Sequence, residues 1–169
     1  PGSAADRAGG RARNLAVPPG FNDAELDFLI AAAVLPLLAG FAPDAVYVQG
    51  GCDALADDPQ SKLSLSNGAI WRAVKAVADV APSLIVTGGG GYNPYAVGRC
   101  WAGIWATLSG RDAPARLPAA AEACLRGVVW HHRLGRTAPE HWFETLADAP
   151  CTGGVRGEIE ALAAAALAP

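Results

Sequence analysis

The stretch VYVQGGCDALADD, Val46–Asp58, decides the fold of this chain. A short apolar run ends there in two glycines, and an acidic residue, Asp53, follows at once. The pattern recurs where LIVT, Leu84–Thr87, runs into four glycines and then Tyr92, with a helix-period segment between the two runs. Strand, helix, strand is the βαβ unit, whose two strands are parallel. Because parallel strands end at the same edge of a sheet, where ligands bind, we expect Asp53 and Tyr92 to be neighbours in one cleft.

Length and composition indicate part of a larger α/β domain. The chain has 169 residues, of which 51% are hydrophobic, and this is enough for one domain with a real core. Only two segments have the pattern of strands, and a two-stranded parallel sheet needs further strands and cover on both faces. The simplest interpretation is the C-terminal part of a parallel-sheet domain whose N-terminal half is missing. The alternative is a small helical protein with a minor sheet.

Charge, hydropathy and cysteine spacing narrow the partners and the compartment. The net charge is −3 with both signs scattered and no basic stripe, so we expect no direct nucleic-acid partner. No apolar run reads as long enough for a membrane span, so we expect no membrane partner. The cysteines form no CxxC pair, which argues against a zinc knuckle or a disulfide framework and favours a reduced, cytoplasmic setting: Cys52, Cys100, Cys124 and Cys151.

Capping and breaking residues divide the rest of the chain. A helix capped by Asn22 or Asp23 is expected to run to about Phe41, and its apolar residues lie nearly all round, which predicts burial, with a kink at Pro36. The remaining elements are strands over 45–49 and 83–87, a helix from a cap at Ser66 or Asn67 to about Val80, a helix capped by Asn93 that ends at Gly110, and helices over 118–134, 139–147 and 155–167.

Asp53 is the first candidate for chemistry. An acidic residue just past a buried strand can bind a metal, orient a base, or cap its own loop through side-chain hydrogen bonds. Asp57 and Asp58 follow closely, and three carboxylates in so short a stretch suggest a cation. Their spacing does not match an EF-hand, which needs oxygen ligands at alternate positions and a terminal Glu.

The glycine run Gly88–Gly91 and Tyr92 are the second candidate. Four glycines let the backbone approach a ligand or another chain segment closely, although a tight turn explains them equally well. Tyr92-Asn93 follows where a phosphate loop needs Lys-Ser/Thr, so the nucleotide-binding interpretation is weak. The hydroxyl of Tyr92 can donate to a developing oxyanion, or the ring can simply pack.

The histidines read as structural or surface residues. His131 and His132 are adjacent near the end of a predicted helix, where neighbouring side chains do not share a face, so they are not expected to bind one ion. His141 follows a Gly- and Pro-containing break. The nearby aromatic residues are expected to serve packing rather than form a binding site: Trp130, Trp142 and Phe143.

Three segments together resemble the arginase-like zinc deacetylases, the family that includes the histone deacetylases. GGCDALADDP, Gly50–Pro59, is similar to the family's strand-end aspartate segment, and GGGGYNPYAVGRCW, Gly88–Trp101, to its glycine loop, tyrosine and following helix. RNLAVPPGFND, Arg13–Asp23, resembles the segment before the family's long helix. The tail Trp130–Phe143 looks like that of the bacterial acetoin-utilisation deacetylase branch. The fold implied is a three-layer α/β/α domain around a parallel sheet.

The resemblance implies a zinc-dependent hydrolysis of an N-acetyl or N-acyl lysine or another acetylated amine. Asp53 corresponds to a zinc ligand and Tyr92 to the oxyanion donor. The family's other zinc ligands, one Asp and one His, and its His dyad would lie before Pro1, so the isolated chain is expected to bind no catalytic zinc and to be inactive. The positions implied to contact substrate are Gly89, Gly90, Gly91 and Gln60.

Departures from the family pattern bear on specificity. Asp57 stands where the family commonly has Gly, and Gln60 stands where many members have a Leu in the acyl tunnel. Pro59 and Tyr95 occupy places that are basic in members binding inositol phosphates, so that co-regulator is not expected. We divide the chain into residues 1–110, the catalytic-domain portion, and 111–169, a helical extension. The alternatives are a non-catalytic scaffold or remnant of a deacetylase and, less favoured, a nucleotide-binding α/β module.

Overall fold

The computed structural model of the chain describes residues 6–168. Its elements, in chain order, are α1 (Asp23–Leu29), a π-helical turn (Ile30–Val34), α2 (Leu35–Phe41), β1 (Val46–Gly50), α3 (Asn67–Ala78), β2 (Leu84–Gly88), α4 (Pro94–Leu108), α5 (Ala119–Arg126), α6 (His141–Glu144) and α7 (Gly157–Leu167). The predicted βαβ unit is confirmed. Strands β1 and β2 pair in parallel with α3 between them, in a register that runs from Val46 opposite Leu84 to Gly50 opposite Gly88.

The first helical segment begins as predicted but is less regular and less buried than expected. Asn22 forms a capping box with Glu25, in which each side chain accepts a hydrogen bond from the other residue's backbone. The irregularity expected at Pro36 lies just before it, as a π-helical turn. The expectation of burial on all sides is wrong, since no residue of α2 is buried and Phe41 is 81% exposed.

The same segment contradicts the expectation that no apolar run is long enough to span a membrane. The continuous helical stretch Asp23–Phe41 has 19 residues and a mean hydropathy of 1.8, so by length and composition alone it is able to cross a membrane. The core helix of a water-soluble protein passes the same test. Here Leu29 and Ala33 pack in the core, and Glu25 is fully buried against the Arg156 guanidinium.

The strands were expected to be covered on both faces, and in the structure they are covered on one. Residues alternate along β1, so that Val46 and Val48 are half-buried while Tyr47 is 65% exposed. On β2, Ile85 is 60% exposed beside Tyr47. Within residues 6–168 the sheet has two strands, and these residues leave apolar side chains of both strands exposed on one face.

Helices α3 and α4 pack closely against each other. Ser66 caps α3 and Asn93 caps α4 through their side-chain oxygens, as predicted, with Pro94 in the first turn of α4. A Cβ on Gly103 would lie 1.9 Å from the Trp71 ring, so only glycine permits this approach. The Trp71 indole also donates a hydrogen bond of 2.9 Å to the Cys100 carbonyl. The contact fixes α4, which begins three residues after the glycine run.

The C-terminal part is less helical than predicted but packs into the same core. Helix α5 ends at Arg126, so Trp130, His131 and His132 lie outside a helix, which corrects the helix expected over 118–134. Helix α7 contributes to a core cluster that it shares with α1, the π-helical turn, α3, α4 and the loops beside them: Phe21, Leu29, Ala33, Cys52, Leu55, Leu65, Val74, Ala96, Cys100, Ile104, Ile159, Ala163 and Ala166. The division at residue 110 stays a prediction.

Candidate active site at the carboxyl ends of the strands

The two loops that follow β1 and β2 lie side by side. The strand register ends with Gly50 opposite Gly88, and the Cys52 amide then donates a hydrogen bond of 2.7 Å to the Gly90 carbonyl. This bond continues the contact between the two chain segments beyond the last residue pair of the sheet. Asp53 therefore lies next to the glycine run, and Tyr92 leaves the same run two residues after Gly90.

Asp53 presents its carboxylate against the glycine backbone. A Cβ placed on Gly90 would lie 2.1 Å from Asp53 Oδ2, and one placed on Gly51 would lie 2.5 Å from Oδ1. The residue is exposed, and within residues 6–168 its carboxylate accepts no hydrogen bond. The loop-capping role that was the alternative for Asp53 is therefore not seen among these residues, and the carboxylate is available for another partner.

The glycine run is explained by this close approach. A Cβ on Gly89 would lie 2.7 Å from Gln49 Nε2 and 3.0 Å from the Gly51 amide nitrogen. Gly91 has a φ of +148° and would place a Cβ 2.6 Å from Val97. Another chain segment thus occupies the space that side chains here would need. The substrate-binding role expected for Gly89, Gly90 and Gly91 stays a prediction.

Tyr92 is held by its main chain while its side chain is open to solvent. Its amide donates a hydrogen bond of 2.6 Å to Asp58 Oδ2, and its carbonyl accepts one of 3.0 Å from the Trp130 indole. The residue is 44% exposed, and its hydroxyl makes no hydrogen bond to the described part of the chain. A hydroxyl in this state is free to donate to a ligand.

The three carboxylates of the first loop do not converge on a cation. Asp58 is 5% exposed and binds the amides of Gln60 and Tyr92. Asp57 pairs with Arg136 and accepts a 2.8 Å hydrogen bond from the Trp142 indole. Across residues 6–168, no group of three or more His, Cys, Asp or Glu side chains is placed to hold a metal. The cation suggested by their spacing is therefore wrong as a three-carboxylate site, and Asp53 alone keeps a free carboxylate.

The remaining sequence candidates are Gln60 and the histidines. Gln60 is exposed and its role in substrate binding stays a prediction. His132 stacks on Trp130 and its Nδ1 accepts a hydrogen bond from the Leu134 amide, while His141 meets the edge of the Trp142 ring. The histidines thus form separate contacts.

The aromatic residues pack together, as predicted. Tyr95 lies at the centre, with ring centroids 5.4 Å from Trp142, 5.7 Å from Phe143 and 6.2 Å from Trp130. The Tyr95 hydroxyl donates to the Val128 carbonyl. What sequence reasoning missed is that this cluster reaches the site through Trp130. No local signal pointed to that bond, because its partners are 38 positions apart.

Two buried thiols lie beneath the site. Cys52 and Cys100 are 1% and 0% exposed, and both are free. Interaction with the Cys52 thiol, and then burial, raises the pKa of Cys100, so that this group stays a neutral thiol at physiological pH. Cys100 is therefore inert towards metals and electrophiles.

Comparison with known proteins agrees with this architecture. The family model described as the histone deacetylase domain matches residues 2–108. "Putative histone deacetylase 2" of Caenorhabditis elegans is 45% identical over 62 residues, which are 37% of this chain and 12% of that protein. Histone deacetylase 9 of Arabidopsis thaliana is 31% identical over 105 residues, which are 62% of this chain and 25% of that protein.

Solved structures match over most of the chain. An HDAC homologue from Aquifex aeolicus has a TM-score of 0.84 and 34% identity, over 92% of this chain and 42% of that one. An HDAC homologue in complex with SAHA has a TM-score of 0.83 with the same identity and coverage. The chain spans less than half of these structures, and it spans 12% and 25% of the two curated relatives. The predicted α/β, parallel-sheet deacetylase fold is confirmed, and the chain belongs to the histone deacetylase family.

Proposed function

We propose that this chain supplies one zinc ligand and the oxyanion donor of a zinc-dependent deacetylase. The observation that carries the proposal is the free carboxylate of Asp53, which lies against Gly90. Tyr92 follows Gly90 by two residues, with its main chain fixed by hydrogen bonds and its hydroxyl open to solvent. Its substrate would be an N-acetyl or N-acyl lysine or another acetylated amine. The acetoin-utilisation branch and a cytoplasmic location remain part of this proposal.

Each residue has one role in this scheme. The Asp53 carboxylate would hold zinc, which when bound supplies Lewis-acid polarisation of the acyl carbonyl and an activated water. The Tyr92 hydroxyl would donate its proton in a hydrogen bond to the oxygen that gains negative charge as the amide is attacked. Gln60 and the backbone of Gly89–Gly91 would border the acyl group, and both Gln60 and Gly89 are exposed for it.

Catalytic zinc normally has three protein ligands, and within residues 6–168 no group of three or more His, Cys, Asp or Glu side chains is placed to hold a metal. We therefore expect residues 1–169 alone to hold no catalytic zinc and to show no deacetylase activity. The complete protein encoded by the gene is expected to bind zinc and to show deacetylase activity. A complete protein without zinc would instead favour a non-catalytic scaffold.

The test uses the complete protein and two isosteric substitutions. Asp53→Asn is expected to lose bound zinc, measured by atomic emission after gel filtration. Tyr92→Phe is expected to retain zinc and to lose on the order of 10²–10³ in turnover of an acetyl-lysine peptide, the scale of one oxyanion donor. Tyr47→Phe is the matched control, since its hydroxyl contacts Thr87 on the sheet, and it should leave turnover unchanged. An unchanged rate in Tyr92→Phe would remove Tyr92 from the mechanism.

A further inference from the structure

Side chains from two distant segments form hydrogen bonds with the main chain of Tyr92. Asp58, on the loop after β1, accepts from the Tyr92 amide at 2.6 Å. Trp130, on the segment after α5, donates to the Tyr92 carbonyl at 3.0 Å. The four residues before Tyr92 are glycines and carry no side chain that restrains the backbone. Asp58 and Trp130 therefore provide the side-chain hydrogen bonds that fix where Tyr92 leaves the loop.

Asp58 is itself held rigidly. Its side chain is buried, and its second oxygen, Oδ1, accepts a 2.9 Å hydrogen bond from the Gln60 amide. Its own amide donates to the Leu55 carbonyl at 3.0 Å. A carboxylate bound on both oxygens has little freedom to turn, and its hydrogen bond to Tyr92 is charge-assisted and short.

Trp130 is anchored by the aromatic cluster. Its ring lies 6.2 Å from Tyr95 and 6.1 Å from Trp142, centroid to centroid. Trp142 is fully buried and donates to Asp57, the neighbour of Asp58. The same C-terminal segment thus braces both loops of the candidate active site, at Asp57 and at Tyr92.

We propose that Asp58 and Trp130 are positioning residues that hold the Tyr92 hydroxyl where the reaction needs it. This inference rests on the proposed function, in which Tyr92 is the oxyanion donor. A donor of this kind must be fixed to within about 0.5 Å to be effective, and a glycine loop alone does not supply that restraint. Neither residue touches the substrate in this scheme, and both act through the backbone of Tyr92.

Trp130→Phe in the complete protein tests this directly. The substitution keeps an aromatic ring in the cluster and removes only the indole donor, so kcat is expected to fall about 3- to 10-fold, the range of one hydrogen bond. KM and zinc content should not change. Trp71→Phe is the matched control, because it removes an indole hydrogen bond of 2.9 Å to the Cys100 carbonyl on α4. It should lower the melting temperature without lowering kcat.

A double-mutant cycle separates positioning from general destabilisation. In a Tyr92→Phe background the hydroxyl is absent, so adding Trp130→Phe should produce no further loss of kcat. An equal loss in both backgrounds would overturn the inference, and so would an unchanged kcat in Trp130→Phe alone. Asp58→Asn, which keeps one acceptor oxygen for two amides, is the second variant, and a loss of about 10-fold or more is expected from its charged hydrogen bond. If Tyr92→Phe itself leaves the rate unchanged, the proposed function fails, whatever Trp130→Phe does.

Discussion

Gly90→Ala tests the contact on which the candidate site is built. The new Cβ would lie 2.1 Å from Asp53 Oδ2 and 2.6 Å from its Cγ. Both distances are about 1 Å or more short of ordinary contact, so the carboxylate or the glycine loop must move. The φ of Gly90 is outside the left-handed region, so alanine adds no backbone strain and the effect comes from the contact alone. Because the atoms in contact are the end of the exposed Asp53 side chain, turning it away should cost no more than about 1 kcal/mol in the free energy of unfolding, and the main effect should fall on the metal that we propose Asp53 holds.

The matched control is Gly98→Ala on α4, where no heavy atom lies within 4 Å of the new Cβ. The same substitution there should stabilise the protein by up to about 1 kcal/mol, the difference in helix propensity. Urea unfolding of the complete protein measures both variants. In the holoenzyme, Gly90→Ala should also lower zinc content, because Asp53 is displaced, whereas Gly98→Ala should not.

A second substitution shows whether Asp53 is the group displaced. Asp53→Ala removes the carboxylate, and because it makes no hydrogen bond within residues 6–168, its own cost should be small. In that background Gly90→Ala should become nearly neutral, so the cycle should yield a coupling energy of up to about 1 kcal/mol. A Gly90→Ala variant that keeps its full zinc content, or a cost in stability that persists without Asp53, would refute the placement of Asp53 on Gly90.

Two further predictions concern the contacts that tie the C-terminal part to the core. The pKa of Glu25 is lowered to about 2, chiefly by its hydrogen bonds to Arg156. Its stabilisation is therefore full above the ordinary pKa of 4.5 and is lost as the pH falls towards 2. Glu25→Gln should cost on the order of 1–3 kcal/mol at neutral pH, a difference that disappears on acidification in urea titrations; a pH-independent difference would contradict this. Arg99, 1% exposed, pairs with Asp148 at 2.7 Å, and Arg99→Met should cost about 3–5 kcal/mol in the same assay. Arg72→Met, at an exposed ion pair, should cost at most about 1 kcal/mol, and equal costs would contradict the role of burial.

Local chemistry made part of the fold predictable. The cap at Asn93 was predicted from sequence, and the other two were narrowed to adjacent pairs from which the structure selects Asn22 and Ser66, because a cap binds amides two or three residues away. The parallel pairing followed from two apolar runs with a helix between them, and the register at Gly50 and Gly88 then brought the strand-end loops together. Each of these features depends on a short stretch of chain.

The remaining features depend on contacts between distant residues. The Asp58–Tyr92 hydrogen bond joins positions 34 apart, and nothing in the spacing of Asp53, Asp57 and Asp58 shows which carboxylate faces the glycine loop. The end of α5 at Arg126 was missed as well. Beyond it the chain binds Tyr92 through Trp130 instead of continuing as a helix, so tertiary contacts override a weak helical pattern.

The exposed apolar side chains of the sheet and the unpaired carboxylate of Asp53 both indicate that these residues belong to a longer domain. The exposed side chains Tyr47 and Ile85 lie next to each other on a parallel sheet, an architecture that is normally covered on both faces. Asp53 carries a charge without a partner among residues 6–168, at the edge where such sheets bind ligands. The matched Aquifex homologue is more than twice as long as the portion that this chain covers. The exposed apolar face is therefore suited to a longer domain of the family that covers it, and the free Asp53 carboxylate is suited to the metal that we propose it holds there.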